Sequence, residues 1–149
     1  MQSVTEKNPP VFKEYESTTP FHMAAQYAHL EVCKLMIRNL VNKSPKNVHG
    51  ATPLHIAAKN GHSEICRFLI SKVSNKNPKD EKGLTPLHLA ANYGHLDTCK
   101  VFVGTLVNKN PKSYFDSTPL HLAARSGHLD ICKLLIENTS GKNPMDVDR

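Results

Sequence analysis

Four times along this chain the pattern Thr-Pro-x-His-x-Ala-Ala recurs, at 19–25, 52–58, 85–91 and 118–124. Each copy begins 33 residues after the one before it, with no insertion or deletion. No other feature limits the fold as much. A unit of that length cannot bury its own apolar face, so a strict period means stacked copies, each closing its neighbour's core. The aromatic content agrees: 6% of 149 residues, with no Trp, is thin for one round core. Many small Ala, Leu and Ile contacts are expected instead.

Within a unit, the local code predicts helix, turn, helix and an extended exit. Thr19, Thr52, Thr85 and Thr118 are good N-caps. Pro20, Pro53, Pro86 and Pro119 follow at the first helical position, where the missing N–H costs nothing. Apolar and alanine positions such as Leu54, Ile56, Ala57 and Ala58 then make a short helix. Gly61, Gly94 and Gly127 suit the left-handed turn that ends it. A second helix is predicted from near His62 through Ile65, Cys66, Phe68, Leu69 and Ile70, with the spacing of one buried face. Asn-Pro then forces an extended exit, because the residue before proline is disfavoured in the helical region. Gly50 and Gly83 supply turns ahead of the next Thr-Pro.

The period, together with TPLHIAA at 52 and TPLHLAA at 85 and 118, resembles the ankyrin repeat family. The resemblance covers 19–149 as four repeats, 19–51, 52–84, 85–117 and 118–149, after an irregular partial repeat or cap at 1–18. It implies an all-α repeat solenoid: an L-shaped stack of antiparallel helix pairs with hairpin-like tips. It also implies protein binding rather than catalysis. The chain departs from the family pattern in places. The glycine expected after the second helix is replaced by Leu40, Val73, Leu106 and Thr139. That predicts a second helix longer by up to a turn, with Val41, Val73 and Val107 adding packing. Ser17 and Asp116 replace the tip glycine, so those turns are expected to differ. Ala28 replaces the glycine between the helices of the first unit, at a strain of roughly 1 kcal/mol or more. Residues 3–9, SVTEKNP, echo KVSNKNP at 72–78, as the tail of a preceding unit would.

The residues with chemical potential repeat with the scaffold. Cys33, Cys66, Cys99 and Cys132 hold one equivalent place in the four units. Equivalent positions on stacked helices lie about 8–10 Å apart, too far for a disulfide or a shared tetrahedral zinc. Buried apolar thiols are therefore expected, and no metal. His29, His62, His95 and His128 precede those cysteines by four residues. A Cys-His dyad would need an orienting third group and a pocket, and its fourfold repetition argues for a structural contact. His22, His55, His88 and His121 follow each capping Thr by three residues, and the resemblance implies that they tie the cap to backbone. No phosphate loop, paired-acid system or triad order stands out. A non-enzyme with no cofactor is expected.

The apolar runs fall far short of the roughly 18 residues that a membrane span requires. The polar start MQSVTEKNPP lacks the apolar stretch of a secretory signal. An intracellular, cytoplasmic monomer is expected. The formal charge of +6 comes largely from the recurring NKSPK and NKNPK segments, where Lys43, Lys46, Lys76, Lys79, Lys109 and Lys112 form a stripe with the periodicity of the repeat.

In a repeat protein the fixed positions serve neighbouring units, and the variable exposed ones are free to meet a partner. The family resemblance places those at the tips before each Thr-Pro and just after the Ala pair. The candidate partner-binding residues are Tyr15, Tyr27, His49, Lys59, Lys82, Leu84, Tyr93, Tyr114, Phe115 and Arg125. All four tyrosines fall among them, and Tyr and Arg are enriched at binding hot spots. Tyr93, Tyr114, Phe115 and Arg125 are expected to form one patch across the third and fourth units. The competing expectation is that Phe115 folds inward beside Asp116. The alternative function is binding of nucleic acid or an acidic surface through the lysine stripe. Few aromatics interleave that stripe, so specific base recognition is not expected.

Overall fold

The structure is a computed structural model describing residues 18–139. The described residues form eight helices and no strand. They alternate between short first helices, α1 (Pro20–Gln26), α3 (Pro53–Lys59), α5 (Pro86–Asn92) and α7 (Pro119–Ser126), and longer second helices. The second helices are α2 (Leu30–Asn39), α4 (Ser63–Lys72), α6 (Leu96–Thr105) and α8 (Leu129–Thr139). The first helices pack in sequence, α1 on α3 on α5 on α7, and the second helices form a parallel row behind them. The core runs along the seam as a column of small groups. Ala25, Ala58 and Ala91 are fully buried, with Cys33, Cys66, Cys99, Phe21, Leu87 and Phe102 around them. The stack thus has the all-α solenoid architecture that the period demands.

Each first helix starts with the same reciprocal cap. The Thr hydroxyl meets the backbone N–H of the third helical residue, and that residue, a His, returns its side chain to the Thr N–H. In the second unit, Thr52 N and Oγ1 both lie 3.0 Å from His55 Nδ1. His55 Nε2 donates to the Leu84 carbonyl at 2.9 Å, in the next unit. A carbonyl only accepts, so Nε2 carries the proton and Nδ1 accepts. His22 reaches the Ala51 carbonyl in the same way at 2.8 Å, and His88 the Ser117 carbonyl at 2.8 Å. One imidazole therefore caps its own helix and clamps the following tip.

The other histidine series points backwards. His62 donates from Nε2 to the Gln26 carbonyl at 2.8 Å, His95 to Lys59 at 2.8 Å and His128 to Asn92 at 3.0 Å. These three satisfy orphan carbonyls at the ends of the preceding first helices. Both series are architectural.

The structure also corrects the sequence expectations. The second helices do not run on: α2, α4 and α6 end at Asn39, Lys72 and Thr105, and the cap residues Leu40, Val73 and Leu106 are extended. Val73 is buried as expected, but Val41 and Val107 are fully exposed. They fall one residue past the cap position, so in the extended exit their side chains alternate away from the core. Asp116 does not alter its turn. It takes a φ of 57°, the left-handed conformation of Gly50 and Gly83, which Asp tolerates better than most residues. Ala28 holds a φ of 61°, so the anticipated strain is present at the first inter-helix turn. Tyr15, Ser17 and the echo at 3–9 lie outside the described residues.

Candidate functional site

The tips are built from one polar side chain and one left-handed residue. Asn47, Asp80 and Ser113 occupy equivalent places, and each accepts two backbone N–H groups across its turn. For Asp80 these are Lys82 N and Leu84 N, both at 2.9 Å. Adjacent tips are then zipped together. Glu81 N donates to the His49 carbonyl at 2.9 Å, and Tyr114 N to the Lys82 carbonyl at 3.1 Å. The tips form a continuous ridge with a fixed register, one unit per 33 residues of chain.

On this ridge the side chains diverge. His49 Nδ1 lies 3.0 Å from Glu81 Oε1 in an exposed pair. Lys82 is exposed, while Leu84 is half-buried and lends its carbonyl to His55. Tyr114 and Phe115 form the tip before α7, with 66% and 78% of their surfaces accessible. The inward packing of Phe115 is thereby overturned: the ring stands in solvent. A large exposed apolar side chain at a turn is a liability unless something covers it.

The inner ends of the first helices carry the second group. Tyr27 and Tyr93 occupy C-cap positions and are about half exposed. Lys59 Nζ sits 5.4 Å from the Tyr93 ring centroid, a cation–π contact across two units. Arg125 is exposed in the last turn of α7. Tyr114 instead has Lys79 Nζ 5.5 Å from its ring centroid. Tyr93 and Tyr114 thus take their cations from different rows. In sequence Lys79 reads as one more cation of the charged stripe. The signal was its register, since Lys79 lies in the loop before the Gly83 tip against which Tyr114 packs.

The stripe itself is partly structural. Lys46 Nζ donates to the Lys79 carbonyl at 3.2 Å, and Lys79 Nζ to the Lys112 carbonyl at 2.9 Å. Two of its cations are therefore committed to joining units.

Three of the four thiols are shielded by their environment. Cys33, Cys66 and Cys99 are buried, and burial pushes their thiols up, Cys33 to about 11 and Cys66 and Cys99 to about 12. Reaction needs the thiolate, so these groups are protected twice, by access and by proton affinity. Among the described residues no group of three or more His, Cys, Asp or Glu is placed to hold a metal ion. A thiol reagent added to the native protein is expected to modify the half-buried Cys132 first and the other three only on unfolding. Rapid native modification of all four thiols would contradict this packing.

Helix pairs that recur every 33 residues and stack through histidine clamps define a repeat solenoid. An ankyrin-repeat family model matches residues 3–80 and 69–148, and the chain belongs to the ankyrin repeat family. Ankyrin repeats are in general protein–protein interaction modules. No curated protein matches the chain. Among the described residues no helix is long and apolar enough to cross a membrane.

Proposed function

We propose that this protein is a non-catalytic binding module that engages a protein partner through its tips and inner helix ends. The observation that carries this reading is the exposed Tyr114–Phe115 pair. Phe115 has 78% of its surface in water at a turn where solubility favours a polar residue. Charged groups elsewhere on the tips and inner helix ends supply orientation. Arg125 and Lys59 offer cations to partner carboxylates, with the Arg125 guanidinium suited to bidentate pairing. His49 and Lys82 extend the surface towards the second unit, and Tyr27 towards the first. The proposed complex centres on aromatic anchors rimmed by charge, the usual anatomy of a protein interface.

An affinity capture from cell extract with the full chain, followed by mass spectrometry and salt titration of the captured complex, tests this. The module reading expects a protein whose affinity changes little between about 50 and 200 mM salt. Capture dominated by nucleic acid, lost steeply over that range, would assign function to the lysine stripe instead.

A further inference from the structure

The row of second helices holds a second irregularity. Between α2 and α4 lies a cavity of about 400 Å³ lined by Lys34, Ile37, Arg38, Lys43, Phe68 and Lys72. Four of those six side chains are cationic. The repeat provides its own controls, because the same six positions recur in the two following grooves. Arg38 and Lys72 correspond to Ser71 and Thr105 in the α4–α6 groove, and to Gly104 and Asn138 in the α6–α8 groove. Each of those grooves keeps two cations where the first has four. Phe68 corresponds to Val101 and Leu134, so the first groove alone has an aromatic floor. The three departures from the repeat all converge on one cavity.

Two further features favour a ligand there. A neighbouring recess of about 310 Å³ shares Lys43 and Lys72 and adds Asn42, Ser44 and Ser74, which bring neutral hydrogen-bond donors beside the cations. The local carboxylate supply is also short: none lines either cavity, and Glu31, outside both linings, pairs with Lys34 at 2.7 Å. A competing explanation exists for two of the cations. Arg38 and Lys72 lie in the last turns of α2 and α4, where positive charge complements the helix dipole. That explanation does not account for α6 and α8, which manage without a basic residue in the last turn. It also leaves Lys34, Lys43 and Phe68 out.

We propose that the α2–α4 groove binds a small, multiply phosphorylated ligand, with its phosphates among Lys34, Arg38, Lys43 and Lys72 and its carbon skeleton over Phe68 and Ile37. The site is compact, a half-open groove bounded by two helices and one loop, which suits a small polyanion better than an extended acidic chain. It lies in the second-helix row, apart from the proposed partner-binding ridge, and does not depend on that reading.

The test is calorimetric titration of the full chain with inositol hexakisphosphate at about 150 mM salt, where diffuse surface attraction is screened. Saturable binding at one site is expected. The R38S/K72T variant gives the first groove the residues of the second, which the same scaffold already accommodates at Ser71 and Thr105. It should bind at least about tenfold more weakly with an unchanged melting profile. The K100S/K133T variant removes the same charge from exposed positions elsewhere and should bind within about twofold of the parent. No saturable binding by the parent, or equal weakening in both variants, overturns the proposal, as does equally tight binding of a poly-glutamate peptide. Phosphatidylcholine vesicles carrying phosphatidylinositol bisphosphate identify the source. Their capture, competed by the soluble probe and lost in R38S/K72T, makes the ligand a lipid headgroup. Absence of capture beside tight soluble binding makes it a free metabolite. Vesicle capture that neither the probe nor R38S/K72T abolishes is general membrane attraction and overturns the site.

Discussion

Acidification from about pH 7 to about pH 4 is expected to remove a large part of the stability of this stack through its buried histidines. Burial holds His55 at about 4, well below its ordinary value of 6.5, and it holds His22 and His88 below that value too. Above 6.5 the folded and unfolded forms are both neutral at these sites, and nothing changes. Below 6.5 the unfolded chain takes up protons that the folded chain refuses, so stability falls until the pH reaches the folded value. For His55 alone the span from 6.5 to about 4 corresponds to about 3 kcal/mol. The geometry gives the reason. Nδ1 faces the Thr52 N–H at 3.0 Å, and Nε2 already donates to Leu84, so a second proton would set donor against donor. Against total domain stabilities of roughly 5–15 kcal/mol His55 alone is a large share, and His22 and His88 act in the same direction. Denaturant titrations should show stability falling steadily as the pH is lowered from about 6.5 towards 4, and His55→Gln should flatten that fall by about one proton's worth. A pH-independent stability, or an unchanged slope in the variant, would contradict the clamp.

The second large effect is at Gly83. Its φ is 74°, and an added Cβ would lie 2.6 Å from the Tyr114 backbone nitrogen and 2.8 Å from the Tyr114 ring. Gly83→Ala therefore combines left-handed strain with loss of the Tyr114-to-Lys82 bond that zips the tips. A cost of about 2–3 kcal/mol is expected from those two effects together. Gly127 isolates the first effect, since it has a similar φ of 75° and nothing within 4 Å of the added Cβ. Gly127→Ala should cost only about 1 kcal/mol. Equal melting temperatures for the two variants would show that the tips are not pressed together as described.

How much of this could be read from the chain alone depended on the range of each interaction. Thr-Pro, the Ala pair and Gly127 act within a few residues, and their helices and turns were legible. The second-helix ends were misjudged. Leu40, Val73 and Leu106 look like a continuing apolar run, but only their extended backbone shows that Val41 and Val107 turn outward. Contacts across units were the least visible. Nothing local to Lys46 announces its bond to the Lys79 carbonyl, 33 residues away. The Lys59–Tyr93 and Lys79–Tyr114 contacts likewise join side chains that only stacking brings together. The exposure of Phe115 was one of two readings until the turn at Asp116 fixed its direction.

The binding surface is tested most directly by truncating that ring. Phe115 makes its contribution in solvent, so Phe115→Ala should leave the melting temperature within the change typical of an exposed site, roughly 0.5 kcal/mol or less in stability. Its affinity for the captured partner should fall by about 2 kcal/mol, the cost of losing a hot-spot anchor. Tyr114→Ala, measured beside it, should lose similar affinity and some stability, because its ring also packs at Gly83 and Lys79. Both variants binding the partner as tightly as the parent would contradict the account and move the interface off this tip.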